Sequence, residues 1–385
     1  MMKLHDTQSS AKPATAKRTF SPKKSLMIAI ASLGLSAVAL PAAATTWWNA
    51  SPSISIGSAT INVKNKGALG NGSHDDTAAI QAAVNALPST GGTIYVPPGR
   101  YMINALKPIR MRSHTRLKLD PSAELAVIPN SAGRYWVVKV WNVNNVVITG
   151  GKMTGDRYSH RGTGGEWGYG INVSGSKHVL VKGVSLSNFW GDGMFIGAIT
   201  TSRSQVLSDY VTVNGVVSSN NRRQGMSMGP ATHVYVVNST FKNTKGTLPE
   251  AGIDIEPQKE GPVRTVRLEK NTFSGNHGNG IELHDNISNI TIVGNTLSGN
   301  RGFGALAVSS PYVYITSNYA TRNGLAGVGL SGTTHNSSVR YNKLQYNSTR
   351  YISPTHAGGD SNRDIQVGSK TYSNSVGNNT LTPRR

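Results

Sequence analysis

From residue 170 onward, a glycine opens each of seven short apolar–polar alternations: Gly170, Gly193, Gly225, Gly252, Gly280, Gly304 and Gly327. The next residue is apolar or small each time (Ile171, Met194, Met226, Ile253, Ile281, Ala305, Val328). So is the residue two further on (Val173, Ile196, Met228, Ile255, Leu283, Ala307, Leu330). Alternation with period two marks a strand with one face buried. The spacings between these glycines are 23, 32, 27, 28, 24 and 23 residues. A repeat in the twenties points to a solenoid, in which each coil buries its inner face against its neighbours. The basic coil is about 23 residues, and the longer spacings mark extra loop between Gly193 and Gly280.

Asparagines keep the same beat. Asn271, Asn295, Asn318 and Asn342 are spaced 24, 23 and 24, and Asn276, Asn300, Asn323 and Asn347 follow each by five. Asparagine tolerates left-handed turns and hydrogen-bonds nearby backbone, so repetition predicts ladders along the stack. β-branched runs such as Ile290–Val293 and Val313–Thr316 precede them. Low apolar content and 43 glycines suit many short strands and turns. The fold expected is all-β.

Nearer the start, Ile80, Val84 and Leu87 share one helical face, with Asp75 or Asp76 as the expected cap. Pro88 and Gly91-Gly92 end that helix, and Thr93–Val96 follows as a strand. The run from Gly67 through Asp75-Asp76-Thr77-Ala78-Ala79-Ile80 to Val96-Pro97-Pro98-Gly99-Arg100-Tyr101 resembles the opening of pectate-lyase-superfamily proteins, polygalacturonase-like enzymes among them. The resemblance implies a right-handed parallel β-helix with an N-terminal capping helix over residues 61–380. It implies no polygalacturonase active site. Gly191-Asp192-Gly193 stands where a paired Asp is expected, Gln224-Gly225 replaces His-Gly, and Arg-Ile-Lys is absent.

Residues 1–24 carry six basic residues, an apolar run follows from Leu26 to Leu40, and Pro41-Ala42-Ala43-Ala44 offers a cleavage site. That is the pattern of a signal peptide over residues 1–44, with 45–60 as a leader into the first strand. The apolar run is short for a membrane span. A secreted or periplasmic protein with no integral membrane segment after signal removal is expected. With no cysteine, its stability rests on core and ladders. The full chain carries +21, and loss of residues 1–44 removes six cations and Asp6, leaving +16. Such a charge attracts polyanions. No nucleic-acid-binding motif is present, so an acidic polysaccharide is the expected partner.

Stacking the coils on their glycines places Asp254 beside Glu282 and Glu256 beside His284, with Arg223, Gln224 and Asp192 on the two preceding coils. Neighbouring acids about one strand spacing apart push their pKa values apart, which suits general acid/base work. The candidate catalytic residues are therefore Asp254, Glu256, Asp192, Glu282 and His284. Arg222, Arg223 and Gln224 are candidates to contact the sugar, and Trp167 and Trp190, with Tyr169 and Phe195, to stack on it. Inverting glycoside hydrolysis needs carboxyls roughly 6.5–9.5 Å apart. Asp254 and Glu256, roughly 7 Å apart along a strand, fit that spacing. The expected activity is glycoside hydrolysis. A lyase or C5-epimerase using His284 or Arg223 in proton abstraction is the alternative, followed by a non-catalytic polysaccharide-binding envelope protein. No cofactor is required, though the acids also suit calcium.

Overall fold

The computed structural model describes residues 47–48, 53–200, 204–257, 261–350 and 364–382. The expected signal segment and part of the leader lie outside them. The described chain winds as a right-handed parallel β-helix, the hand that parallel crossovers take. Three parallel sheets run along it, two of twelve strands and one of ten. A typical coil contributes Lys177–Lys182 to the first sheet, Ser185–Ser187 to the second and Asp192–Gly197 to the third.

Inward positions form continuous apolar rows. In the first sheet Val179, Val211, Val234, Val266 and Ile290 stack coil upon coil, all essentially buried. In the third sheet Ile171, Met194, Met226, Ile253 and Ile281 do the same. Each row removes apolar surface from water at every coil, the dominant favourable term in folding.

The glycine column has a steric cause. A Cβ on Gly252 would lie 2.6 Å from the carbonyl oxygen of Gly280, and one on Gly280 2.5 Å from that of Gly304. At these glycines the corner of one coil packs onto the next too closely for a side chain. The asparagine columns are hydrogen-bonded ladders. Asn271 Nδ2 donates to Asn295 Oδ1 (3.0 Å), Asn295 to Asn318 (2.9 Å) and Asn318 to Asn342 (3.0 Å). Asn276, Asn300, Asn323 and Asn347 repeat the arrangement, and Asn347 Nδ2 ends on the Asp364 carboxylate at 2.7 Å. Each backbone N–H in the column also donates to the next side chain, so these buried amides satisfy turn groups that water cannot reach.

The single α-helix among the described residues spans Thr77–Asn85 at the N-terminal end. Of the two expected caps, Asp75 serves. The Asp75 carboxylate accepts from Thr77 N, whereas that of Asp76 makes no helix-capping bond. Asp76 turns back to accept from Leu69 N (2.7 Å) and Gly70 N (3.1 Å), pinning the loop before it. The long glycine spacing after Gly193 holds a small antiparallel hairpin, Ile199–Thr200 with Gln205–Val206. No helix among the described residues is long and apolar enough to cross a membrane.

Candidate active site

The outward row of the third sheet runs Lys139, Asn172, Phe195, Ser227, Asp254, Glu282, Leu306, Gly329, each paired with the next. Polarity peaks over the middle coils and stops at Leu306. Asp254 sits between Ile253 and Ile255, both fully buried, so the alternation turns its carboxyl to the outer face. It is nevertheless 2 % exposed, because neighbours on both adjacent coils close over it.

Those neighbours define the electrostatics. Gln224 Nε2 donates to Asp254 Oδ2 at 2.7 Å. Asp254 Oδ1 has no hydrogen-bond partner and lies 3.4 Å from His284 Nε2. The same His284 nitrogen lies 3.3 Å from Glu282 Oε1. Contact with Asp254, then with Glu282, raises His284 from the usual 6.5 to about 10, with burial opposing. The ring is therefore a cation near neutral pH. Two coils back from Asp254, Asp192 is fully buried, within 3.1 Å of Arg223 Nη1 and hydrogen-bonded to the Ser227 hydroxyl. Burial pushes Asp192 up to about 7 against the pull of Arg223 and Ser227. Glu166 reaches Arg223 Nε at 3.7 Å from the other side.

Beside this cluster opens a cleft of about 440 Å³. Trp136, Trp141, Trp167, Tyr169 and Phe195 supply its rings, Arg134 and Arg223 its cations, and Asp254 and Glu256 its acids. Trp167 comes from the long segment between Thr154 and Gly168, which a buried polar knot holds in place. Asp156 accepts from Tyr135 Oη (2.6 Å), from Asn130 Nδ2 (3.1 Å) and contacts His160 Nδ1 (2.8 Å).

The structure brings together Asp254, Glu256, Glu282, His284, Gln224, Arg223 and Asp192, and puts Trp167 in the cleft wall. Asp192 itself lies beneath the surface, not in the cleft lining. Trp190 and Arg222 are placed elsewhere. The Trp190 ring stacks on His160 (centroids 4.0 Å apart) and on the Arg222 guanidinium (3.8 Å), and Arg222 donates to the Gly165 carbonyl. Both are engaged in holding the long segment, and neither lines the cleft. Asp254 and Glu256 also differ from expectation. Each has an oxygen within 4.8 Å of the other and of His284, because the side chains converge above the strand whereas their Cα atoms follow its repeat.

Trp136, Trp141 and Arg134 were not anticipated. They lie on Arg134–Trp141, where Val137 precedes Val138 and no glycine leads the alternation. The signal available was the alternation itself, with Val138 and Val140 inward and Lys139 and Trp141 outward. Asp254, Glu256 and His284 could each give one ligand atom to a metal. The histidine makes that set less suited to calcium, which takes oxygen ligands.

Residues 60–349 match the family described as Rhamnogalacturonase A/epimerase, pectate lyase-like, and the chain belongs to that family. It is 28 % identical over 269 residues to the uncharacterized protein YclG of Bacillus subtilis, a match covering 60 % of this chain and 46 % of YclG. With the mannuronan C5-epimerase AlgE3 of Azotobacter vinelandii it shares 57 % identity over 45 residues, 11 % of this chain and 2 % of that enzyme. The chain thus spans less than half the length of these curated relatives. Among solved structures, the A-module of the A. vinelandii epimerase AlgE6 superposes with a TM-score of 0.67 at 18 % identity, covering 84 % of this chain and 100 % of the module. A family 28 exopolygalacturonase of Yersinia enterocolitica gives 0.62 at 14 % identity, covering 85 % and 76 %. These structural likenesses are likenesses of fold.

Proposed function

We propose that the chain is an exported enzyme that hydrolyses glycosidic bonds in an acidic polysaccharide, with Asp254 and Glu256 as the working carboxyls. One observation carries this reading: both acids stand in the wall of a cleft otherwise built of aromatic rings and arginines. Ring faces stack on sugars, and Arg134 and Arg223 suit carboxylates on the substrate. The carbohydrate-related names of the family and of the epimerase and polygalacturonase neighbours support the substrate class. The signal-like N-terminus supports export.

The convergence of Asp254 and Glu256 to within 4.8 Å is nearer the roughly 5–5.5 Å of a retaining pair than the wider inverting spacing. Glu256 protonates the leaving glycosidic oxygen while Asp254, held by Gln224 and facing the His284 cation, attacks the anomeric carbon. Water then releases the sugar, with Glu256 acting as base. The test is digestion of polygalacturonate and alginate with product analysis. New saturated reducing ends of retained anomeric configuration are expected. Ultraviolet-absorbing unsaturated ends, or inverted sugars in an uncut chain, overturn hydrolysis. The second reading is elimination or C5 epimerisation, favoured by the 57 % identity to a C5-epimerase over 45 residues. Against it, a His284 cation cannot abstract a proton, and Arg223 is engaged by Asp192 and Glu166.

A further inference from the structure

On the first sheet, away from the cleft, five successive strands from Ala59–Asn62 to Lys177–Lys182 contain no aspartate or glutamate. Their outward side chains include Arg116 and Lys118 on one coil and Lys182 two coils on. Lys118 pairs with Thr149, and Thr149 with Lys182. The two ammonium-bearing positions are thus roughly 10 Å apart along the stack. Two surface hollows, of about 390 and 350 Å³, meet at Arg116 and Lys118. Lys182 and Leu180 line the first, and Tyr95 the second. Arg116 is half-buried and Lys118 exposed, so both can present charge to the hollows.

We propose that this face is a second binding site, for a uronate-bearing polysaccharide chain lying across the coils. Carboxylates pair with Arg116, Lys118 and Lys182, and sugar faces rest on Tyr95, one coil before Lys118, and on Leu180, two residues before Lys182. Charge complementarity selects the occupant: the strip is cationic with no nearby acid on its strands to repel a polyanion. The cations alternate with apolar and aromatic surface, which suits a chain of carboxylated rings better than a bare polyphosphate. The site shares only the acidic glycan with the proposed hydrolysis, and it holds substrate without cutting it.

The experiment measures Kd for polygalacturonate by affinity electrophoresis, using the full chain with Asp254→Asn so that nothing is cleaved. Arg116→Gln, Lys118→Gln and Lys182→Gln are combined, keeping much of the aliphatic stems. A control combines Lys270→Gln, Arg322→Gln and Lys343→Gln, which lie outside the strip and carry the same charge change. A roughly tenfold weaker Kd is expected for the first set, about twofold per cation removed, and little change for the second. Equal weakening in both sets, or none in the first, overturns the proposal. So does equal retention by polyphosphate, which reduces the strip to a general anion surface. Binding of polygalacturonate that survives in a chain showing no hydrolysis would separate failure of the catalytic reading from failure of this one.

Discussion

In the proposed reaction Asp254 and His284 carry the chemistry at the smallest scale, and each makes its own prediction. Replacing Asp254 with Asn keeps the Gln224-side shape and removes the charge facing His284. On a cleaved substrate, kcat should fall about a thousandfold in a variant whose circular dichroism shows the native fold. Full activity in the variant would remove Asp254 from the mechanism. His284 titrates at about 10 in the folded chain and near 6.5 when unfolded. The folded state therefore holds its proton more tightly, so His284 contributes stability fully below pH 6.5. That contribution declines as pH rises toward 10. His284→Gln should flatten this alkaline loss in urea unfolding measured from pH 6 to 10. Asp192 follows the same sign lower down: raised to about 7, it favours the fold most in acid and loses that contribution as pH climbs through 7. Asp192→Asn should flatten that segment alone.

At the scale of strands and turns, the repeating amides set the stability. Asn295 is buried, takes bonds from Asn271 and gives one to Asn318. Asn295→Ala strands polar groups on two coils, and chemical denaturation should show a loss of about 3 kcal/mol. Asn289 is exposed and bonded to the Thr265 hydroxyl, and its φ of +58° suits asparagine, so the same change there should cost about 1 kcal/mol, well below Asn295. The same elements explain what the sequence made legible. A glycine whose Cβ would hit the next coil, and an asparagine bonded to its counterpart one coil on, are constraints that recur at every turn, so they are written as columns. Those columns alone put Asp254 beside Glu282, where the sheet pairs them. Trp136 and Trp141 escaped because Val137 occupies the glycine position on their strand. Trp190 and Arg222 misled because their partners, His160 and Gly165, sit in an irregular segment whose path is set by Asp156 and Tyr135, not by any repeat.

Across the whole molecule, charge and shape divide the work. The chain is strongly cationic, its aromatic cleft lies on one sheet and its acid-free strip on another. Surface attraction of this kind is screened by salt, with a Debye length of about 10 Å at 0.1 M. KM for an acidic polysaccharide should therefore rise steeply between low salt and about 0.5 M, while KM for a neutral short glycoside stays nearly flat. A flat response on both substrates would mean that the cations play no part in capture.

The glycine column also makes length a variable that can change by whole steps. Excising residues 305–327 removes 23 residues and joins Gly304 to Val328, so a glycine still precedes an apolar residue. It sets Asn295 against Asn342 and Asn300 against Asn347 at the interval of 24 that the other coils use. A gene that loses or duplicates such a unit still encodes a closed rod, shorter or longer by one strand spacing, with residues 192–284 untouched. Reach along a polymer can thus be adjusted by copying coils, separately from the groups proposed to act on it.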